Sequence, residues 1–202
     1  MAETILTFFS LAPFYLLGAF PTGRLVGKLY GIDVTREGSG NIGATNVARV
    51  IGKKAGITTL SIDLAKGFLC CFLGAWLASD ESYGAWSGLA GVFGHCFSIP
   101  PLKGGKGVAT TSGVMLWLSP LSLLLALFVF AGVYSMKRVV SLASVAAALF
   151  LPLPSLLNQS NSNIPITLVA ACAALIVVFR HKENLKRFSE GREEVFQSKK
   201  ES

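Results

Sequence analysis

Apolar stretches at about residues 4–23, 57–78, 83–101, 118–136, 139–157 and 164–179 run almost without charge. Most reach the ~17–25 residues that a helix needs to cross ~30 Å of hydrocarbon. A further stretch, Gly107–Ser119, has 13 residues and would span about 20 Å at 1.5 Å per residue. Ser119-Pro120 then marks a tight turn, so 107–119 and 120–136 read as separate helices. Pro152 and Pro154 end the helix of the 139–157 stretch near Leu151. The expected fold is therefore all-α, a polytopic membrane protein of about seven transmembrane helices forming one integral-membrane domain over 1–202. Its spans are 4–23, 57–78, 83–101, 107–119, 120–136, 139–157 and 164–179, followed by a basic tail, 180–202. Composition agrees: 14% of residues are charged, against roughly 25% in soluble domains. That is too little to cover a soluble surface.

Of the 18 lysines and arginines, all but Lys66, which lies inside the second span, fall on alternate connections. Arg24, Lys28, Arg36, Arg49, Lys53 and Lys54 occupy the first loop. Lys103 and Lys106 follow the third span, Lys137 and Arg138 the fifth, and seven more the seventh. The intervening connections hold Asp80 and Glu81 or no charge. By the positive-inside rule the basic side is cytoplasmic, with the N-terminus outside and the tail inside. No cleaved signal peptide is expected, since the first span lacks a basic n-region. The net charge of +7 is thus a topology signal, and no nucleic-acid partner is expected. The four cysteines lie in apolar helices without CxxC spacing, which suits packing rather than metal or redox chemistry.

Three clusters stand at span ends on the basic side. The first is Gly38-Ser39-Gly40-Asn41-Ile42-Gly43-Ala44-Thr45-Asn46-Val47-Ala48-Arg49. It matches GxGxxG, but a dinucleotide site needs a βαβ unit that this sequence does not supply. Glycines before a helix starting near Asn41 or Ala44 still suit an anion, with hydroxyl, amide and guanidinium donors around it. The plainer alternative is a helix-capping turn. The second cluster, Lys103-Gly104-Gly105-Lys106-Gly107-Val108-Ala109-Thr110-Thr111, lacks the hydroxyl that a Walker A loop places after its lysine. It reads as a phosphate cradle or as lysines snorkelling at the membrane boundary. The third, Arg180-His181-Lys182-Glu183-Asn184-Leu185-Lys186-Arg187-Phe188, puts His181 and Asn184 three apart, or is a basic run on anionic lipid. His95 suits packing as readily as function. Asp63 and Lys66 suit a simple pair, although intramembrane charges are functional candidates by default. Together the clusters imply a phosphorylated substrate, and the spans imply an apolar one.

Over essentially its whole length the chain resembles the bacterial acyl-phosphate-dependent glycerol-3-phosphate acyltransferases, the PlsY family. The resemblance rests on Pro21-Thr22-Gly23, the Gly38–Arg49 motif, Asp63-Leu64-Ala65-Lys66-Gly67 and Gly94-His95 through Lys103–Thr110. It continues in Val140-Ser141-Leu142-Ala143-Ser144 and His181-Lys182-Glu183-Asn184-Leu185. Thr35 stands at the family's arginine, with Arg36 one place later. The resemblance implies acyl transfer from a fatty acyl phosphate to the sn-1 hydroxyl of glycerol 3-phosphate, giving lysophosphatidic acid and phosphate, in the bacterial inner membrane. It implies a catalytic set of His181, Asn184, Arg49, Lys103 and Ser39. Phosphate binding falls to Gly40, Asn41, Thr45, Asn46, Gly104, Gly105, Lys106, Gly107, Thr110 and Ser141. Neither cofactor nor metal is expected. Membrane lipids are neighbours, and the enzyme that makes acyl phosphate is expected to dock on the basic face. Neither histidine is followed five positions later by aspartate, so the His-x4-Asp pattern of acyl-CoA-using acyltransferases is absent. The alternative is a small transporter of phosphorylated anions, whose binding groups should lie near the bilayer midplane instead.

Overall fold

A computed structural model describes residues 9–100, 102–156 and 164–196. Residues 4–8 of the first expected span, the end of the sixth at 157, the connection 157–163, and Lys199 and Lys200 of the tail lie outside them. Among the described residues every regular element is a helix. These are α1 (Ala12–Ala19), α2 (Thr22–Leu29), α3 (Ala44–Val50), α4 (Lys53–Ala78), α5 (Glu81–Cys96) and α6 (Val108–Leu118). They continue with α7 (Pro120–Lys137), α8 (Val140–Phe150), α9 (Leu153–Leu156), α10 (Ile164–Arg180) and α11 (Lys182–Ser189).

α4 and α7 are each long and apolar enough to cross a membrane unaided, and α10 passes the same test when joined to α11. The lipid-facing character is visible on the surface. Trp76 and Leu77 of α4, Leu121, Leu124, Leu127 and Phe128 of α7, and Leu175 of α10 are all exposed. In water such a surface would aggregate; in hydrocarbon it needs no cover.

Two expected boundaries move. The first span was expected to reach residue 23, but α1 stops at Ala19 because Pro21 has no N–H to continue the ladder. The chain restarts as α2, which buries Thr22, Gly23, Val26 and Gly27 and exposes Leu25 and Leu29. The third span was expected to reach residue 101, but α5 ends at Cys96 and gives way to a glycine-rich loop. α8 ends at Phe150, one residue before the expected Leu151.

Small residues let these helices meet at backbone distance. A Cβ on Gly67 would overlap the Thr110 carbonyl, and one on Gly113 the Leu64 carbonyl, so α4 and α6 lie in van der Waals contact along a shared seam. Gly18 abuts Gly91 in the same way, and Gly94 abuts the Tyr15 carbonyl, joining α1 to α5. Without a hydrophobic drive between helices in lipid, such close approach is what packing energy has to work with. α4 packs on α1, α3, α5 and α6; α10 packs on α5 and α8, and α7 on α8.

One polar cluster lies inside this packing. Lys66 Nζ is 2.9 Å from Asp63 Oδ1 and donates to the Gly18 carbonyl at 3.2 Å and the Phe20 carbonyl at 2.8 Å. Two of the ammonium hydrogens are thereby hydrogen-bonded to carbonyls, and Asp63 faces the same cation as an ion pair. Two of the acceptors lie at the α1–α2 break that Pro21 creates. His95 Nδ1 stands 3.8 Å from the same Asp63 oxygen, so one ion pair ties α4 to the end of α1 and the end of α5.

Candidate active site

The first loop is held from within by Asn46. Its Nδ2 donates to the carbonyls of Val34 (3.0 Å), Glu37 (3.1 Å) and Asn41 (2.9 Å), while Oδ1 accepts from the Ser39 N–H at 2.8 Å. Two amide hydrogens serving three carbonyls leave none for a substrate. Asn46, expected among the phosphate donors, is committed to the backbone of its own loop. Asn41 Oδ1 accepts the Gly43 N–H at 2.8 Å, turning the chain into α3. Ser39 is exposed, Gly40, Asn41 and Thr45 are partly so, and Arg49 emerges from the last turn of α3.

The second loop folds back over the end of α5. The Gly105 N–H donates to the His95 carbonyl at 2.9 Å, and the His95 ring lies where a Gly105 side chain would be. Arg180 at the end of α10 clamps the loop from the other side. Its Nε donates to the Gly105 carbonyl and its Nη2 to the Gly104 carbonyl, each at 2.9 Å. Gly107, at φ +81°, turns the chain into α6 with Cys96 Sγ pressed against it; a side chain there would be both strained and obstructed. Two expectations change here. The Gly105 N–H is spent on His95 rather than offered to phosphate. Thr110 is fully buried in the α4–α6 seam, its hydroxyl closed off from solvent. Lys103 is exposed and Lys106 partly buried.

The third cluster closes the site. His181 and Asn184 are both buried at the α10–α11 bend of 54°. His181 Nδ1 is 2.7 Å from the Val177 carbonyl. A carbonyl only accepts, so Nδ1 carries the proton and Nε2 presents a lone pair. Asn184 Nδ2 donates to Glu193 Oε1 at 2.6 Å, and Ser141 Oγ, from the first turn of α8, donates to the same oxygen at 2.8 Å. Arg187 Nε meets Glu193 Oε2 at 2.9 Å, and Arg49 Nε lies 3.5 Å from Glu194 Oε2.

The charges converge. Burial pushes Lys106 down to about 8; the neighbouring Glu193 opposes this, and the cations of Arg187, Arg49 and Arg180 reinforce it. Burial, with the Lys106 cation next, pushes His181 down to about 4, so its imidazole is neutral at pH 7. Burial works against ionisation of Glu193. The hydrogen bonds from Asn184, Ser141 and Arg187 outweigh it and hold the carboxyl below its ordinary value. Arg49, Arg180 and Arg187 thus lie close enough to Lys106 to act on its charge, and Lys106 and Arg180 close enough to act on His181, with the tail carboxylate Glu193 opposing both. Among the described residues no His, Cys, Asp and Glu grouping suits a metal ion.

The family model described as glycerol-3-phosphate acyltransferase matches residues 8–191. The chain belongs to this family. A glycerol-3-phosphate acyltransferase of Trichlorobacter lovleyi is 47% identical over 191 residues, covering 94% of this chain and 97% of that one. One of Aquifex aeolicus is 38% identical, covering 90% and 95%. A crystal structure of PlsY (YgiH), described as an integral membrane glycerol 3-phosphate acyltransferase in its glycerol 3-phosphate form, superposes with a TM-score of 0.86. It shares 36% identity and covers 95% of this chain and 96% of that one. Its lysophosphatidic acid form superposes at 0.84. This chain is thus an integral membrane acyltransferase of the glycerol-3-phosphate acyltransferase family.

In this family member the structure gathers Arg49, Lys106, Ser141, His181 and Asn184 from α3, the second loop, α8 and the α10–α11 bend. Sequence reasoning read Arg180 and Arg187 as part of a basic run and did not single out Glu193 or Glu194. The available signal was a pair of acids, Glu193-Glu194, in a tail otherwise rich in Lys and Arg.

Proposed function

We propose that this chain transfers a fatty acyl group from acyl phosphate to the sn-1 hydroxyl of glycerol 3-phosphate. The products are 1-acylglycerol 3-phosphate and inorganic phosphate. The observation that carries the reading is the convergence of Arg49, Lys106, Ser141, His181 and Asn184 at one end of a lipid-facing helix set, in a chain of this family. Two phosphate groups bring roughly four negative charges, at about −1.5 to −2 each. Arg49, Lys106 and the more exposed Lys103 offset their repulsion, with Ser39, Gly40, Asn41, Thr45, Gly104 and Gly107 lining the approach.

The hydroxyl oxygen attacks the acyl carbonyl, the C–O bond to phosphate breaks, and the leaving phosphate takes the electron pair. The mixed anhydride already has a good leaving group, so no covalent acyl-enzyme is needed. His181 Nε2, neutral and with its lone pair free, accepts a hydrogen bond from the attacking hydroxyl and orients it; a phosphate oxygen of substrate takes the proton. The acyl chain lies along apolar helix faces, reached from the bilayer.

The proposed topology is seven spans (α1, α4, α5, α6, α7, α8 and α10) in the inner membrane, N-terminus outside and tail in the cytoplasm. The distribution of Lys and Arg supports it. The same basic face is the docking surface for the enzyme that supplies acyl phosphate.

The test is acyl transfer by purified protein in lipidic medium, with labelled glycerol 3-phosphate and either palmitoyl phosphate or palmitoyl-CoA. Lysophosphatidate from the acyl phosphate alone is expected. Product from the CoA thioester alone would overturn the donor assignment, and none from either donor, in folded protein, would reopen the transporter reading.

A pH dependence follows from Lys106. Its attraction for phosphate is fully present below its folded pKa and is lost as pH rises through about 8. The kcat/KM for glycerol 3-phosphate, which reports groups of the free enzyme, is expected to fall tenfold per pH unit above that value. Lys106→Arg, permanently charged, is expected to flatten the fall; an unchanged profile in that variant would assign the titration to another group.

A further inference from the structure

We infer that Glu193 is a positioning residue of the acyl-transfer site, fixing the hydrogen-bond polarity of Ser141 and Asn184. The inference rests on the site reading above and extends it to a part of the tail that the reaction itself does not call for. Glu193 lies beyond α11, where the chain reverses at Gly191 (φ +67°) through the Gly191 N–H to the Phe188 carbonyl and the Arg192 N–H to the Arg187 carbonyl. That reversal brings residues 192–196 back over α11 and toward the start of α8, where the Phe196 N–H reaches the Arg138 carbonyl at 3.3 Å. The Glu193 side chain is only 8% exposed, although it belongs to a charged tail on the molecular surface. A carboxylate is carried to such a position only if its lone pairs are met. They are met by Ser141 Oγ, Asn184 Nδ2 and Arg187 Nε at 2.8, 2.6 and 2.9 Å.

These donors come from α8 and α11, so one carboxylate fixes two helices of the site relative to each other. It also fixes what they can offer. A carboxylate accepts and never donates while ionised. Ser141 therefore gives away its only hydrogen and keeps lone pairs; Asn184 commits its nitrogen end and keeps Oδ1 and one N–H. Groups with lone pairs to spare suit the hydroxyls of a polyol better than phosphate oxygens, which are themselves acceptors. Ser141 and Asn184 so held recognise the glycerol end of the substrate, and the cations Arg49 and Lys106 take its phosphate.

The experiment uses full-length protein in lipidic medium carrying Glu193→Gln or Glu193→Asp. It measures steady-state kinetics toward glycerol 3-phosphate and palmitoyl phosphate, together with thermal midpoints. Glutamine keeps the shape, but its single oxygen goes to the Arg187 cation, so its NH2 faces Ser141 and Asn184 and reverses the polarity they meet. Expected is a fall of about 10–100-fold in kcat/KM for glycerol 3-phosphate, by analogy with the loss when a group that orients a metal-binding side chain is removed. The KM for palmitoyl phosphate should stay within about twofold, the midpoint should hold, and aspartate should recover part of the loss. Wild-type kinetics in Glu193→Gln would overturn the proposal. So would equal losses toward both substrates that track a lowered midpoint, which would mark a purely structural contact. A lower KM for glycerol 3-phosphate would overturn it too, by making Glu193 a competitor for the site. Calorimetric binding of glycerol 3-phosphate without acyl donor reads the same pair independently of turnover: a tenfold weakening in Glu193→Gln is expected, and unchanged affinity overturns the inference whether or not the wild type turns over acyl phosphate.

Discussion

Arg49→Ala is expected to lower kcat/KM for acyl transfer by about 10²–10³-fold, the loss found when one preorganised stabiliser of developing charge is removed. The charge that must be assembled sets the demand on the site. Two phosphorylated substrates cannot approach within bonding distance unless cations already stand between them, and a cation half-removed from water acts more strongly than one in solvent. Arg49 meets that condition: its side chain is 21% exposed, at the end of a helix whose loop is locked by Asn46. Its guanidinium is near enough to Lys106 to depress the lysine's basicity, together with Arg187 and Arg180. Its Nε faces the Glu194 carboxylate at 3.5 Å. Glu194 is 67% exposed, so displacing it by a substrate phosphate costs little. Arg49→Lys is expected to recover part of the rate, because charge returns without the planar fork that meets two oxygens at once. Steady-state assays on the three proteins check this; turnover by Arg49→Ala within a few-fold of wild type would remove Arg49 from the site.

The helical membrane architecture is legible in the sequence because lipid imposes a single rule on every span: long, apolar and internally hydrogen-bonded. The glycine-rich clusters are legible for a similar reason, since runs such as Lys103–Gly107 have no use in an ordinary span. Boundaries are less so. The break at Pro21 was hidden in a stretch whose hydropathy continues through it, and only the carbonyls taken by Lys66 reveal what the break is for. Within the site, residue type announces capacity but not commitment. Asn46, Gly105 and Thr110 each have a donor that would suit phosphate. The structure spends the first two on Val34, Glu37, Asn41 and His95, and buries the third against α4. Glu193 escaped for the converse reason. Its importance comes from a chain reversal at Gly191 and from partners 52 and 9 residues away, and the Glu193-Glu194 pair in the sequence names neither.

Lys66→Ala is expected to destabilise the protein by about 3–5 kcal/mol, as removal of one partner from a buried ion pair does. The side chains of Lys66 and Asp63 are 4% and 3% exposed, so the variant would leave a carboxylate in the helix interior with His95, 3.8 Å away, as its nearest remaining partner. It would also leave the Gly18 and Phe20 carbonyls without their donor at the α1–α2 break. Those losses reach the site through geometry alone: His95 supplies the carbonyl that holds the Gly105 N–H, and Gly105 belongs to the loop that carries Lys106. Unfolding in detergent, followed by helical signal, measures the effect. Lys66→Ala/Asp63→Asn should be less damaged than Lys66→Ala alone, because the neutral amide removes the stranded charge even though the two carbonyls stay unmet. A single variant as stable as wild type would show that α4, α1 and α5 are held by their glycine seams without this pair. A double variant no better than the single one would assign the cost to the carbonyls at Pro21 rather than to Asp63.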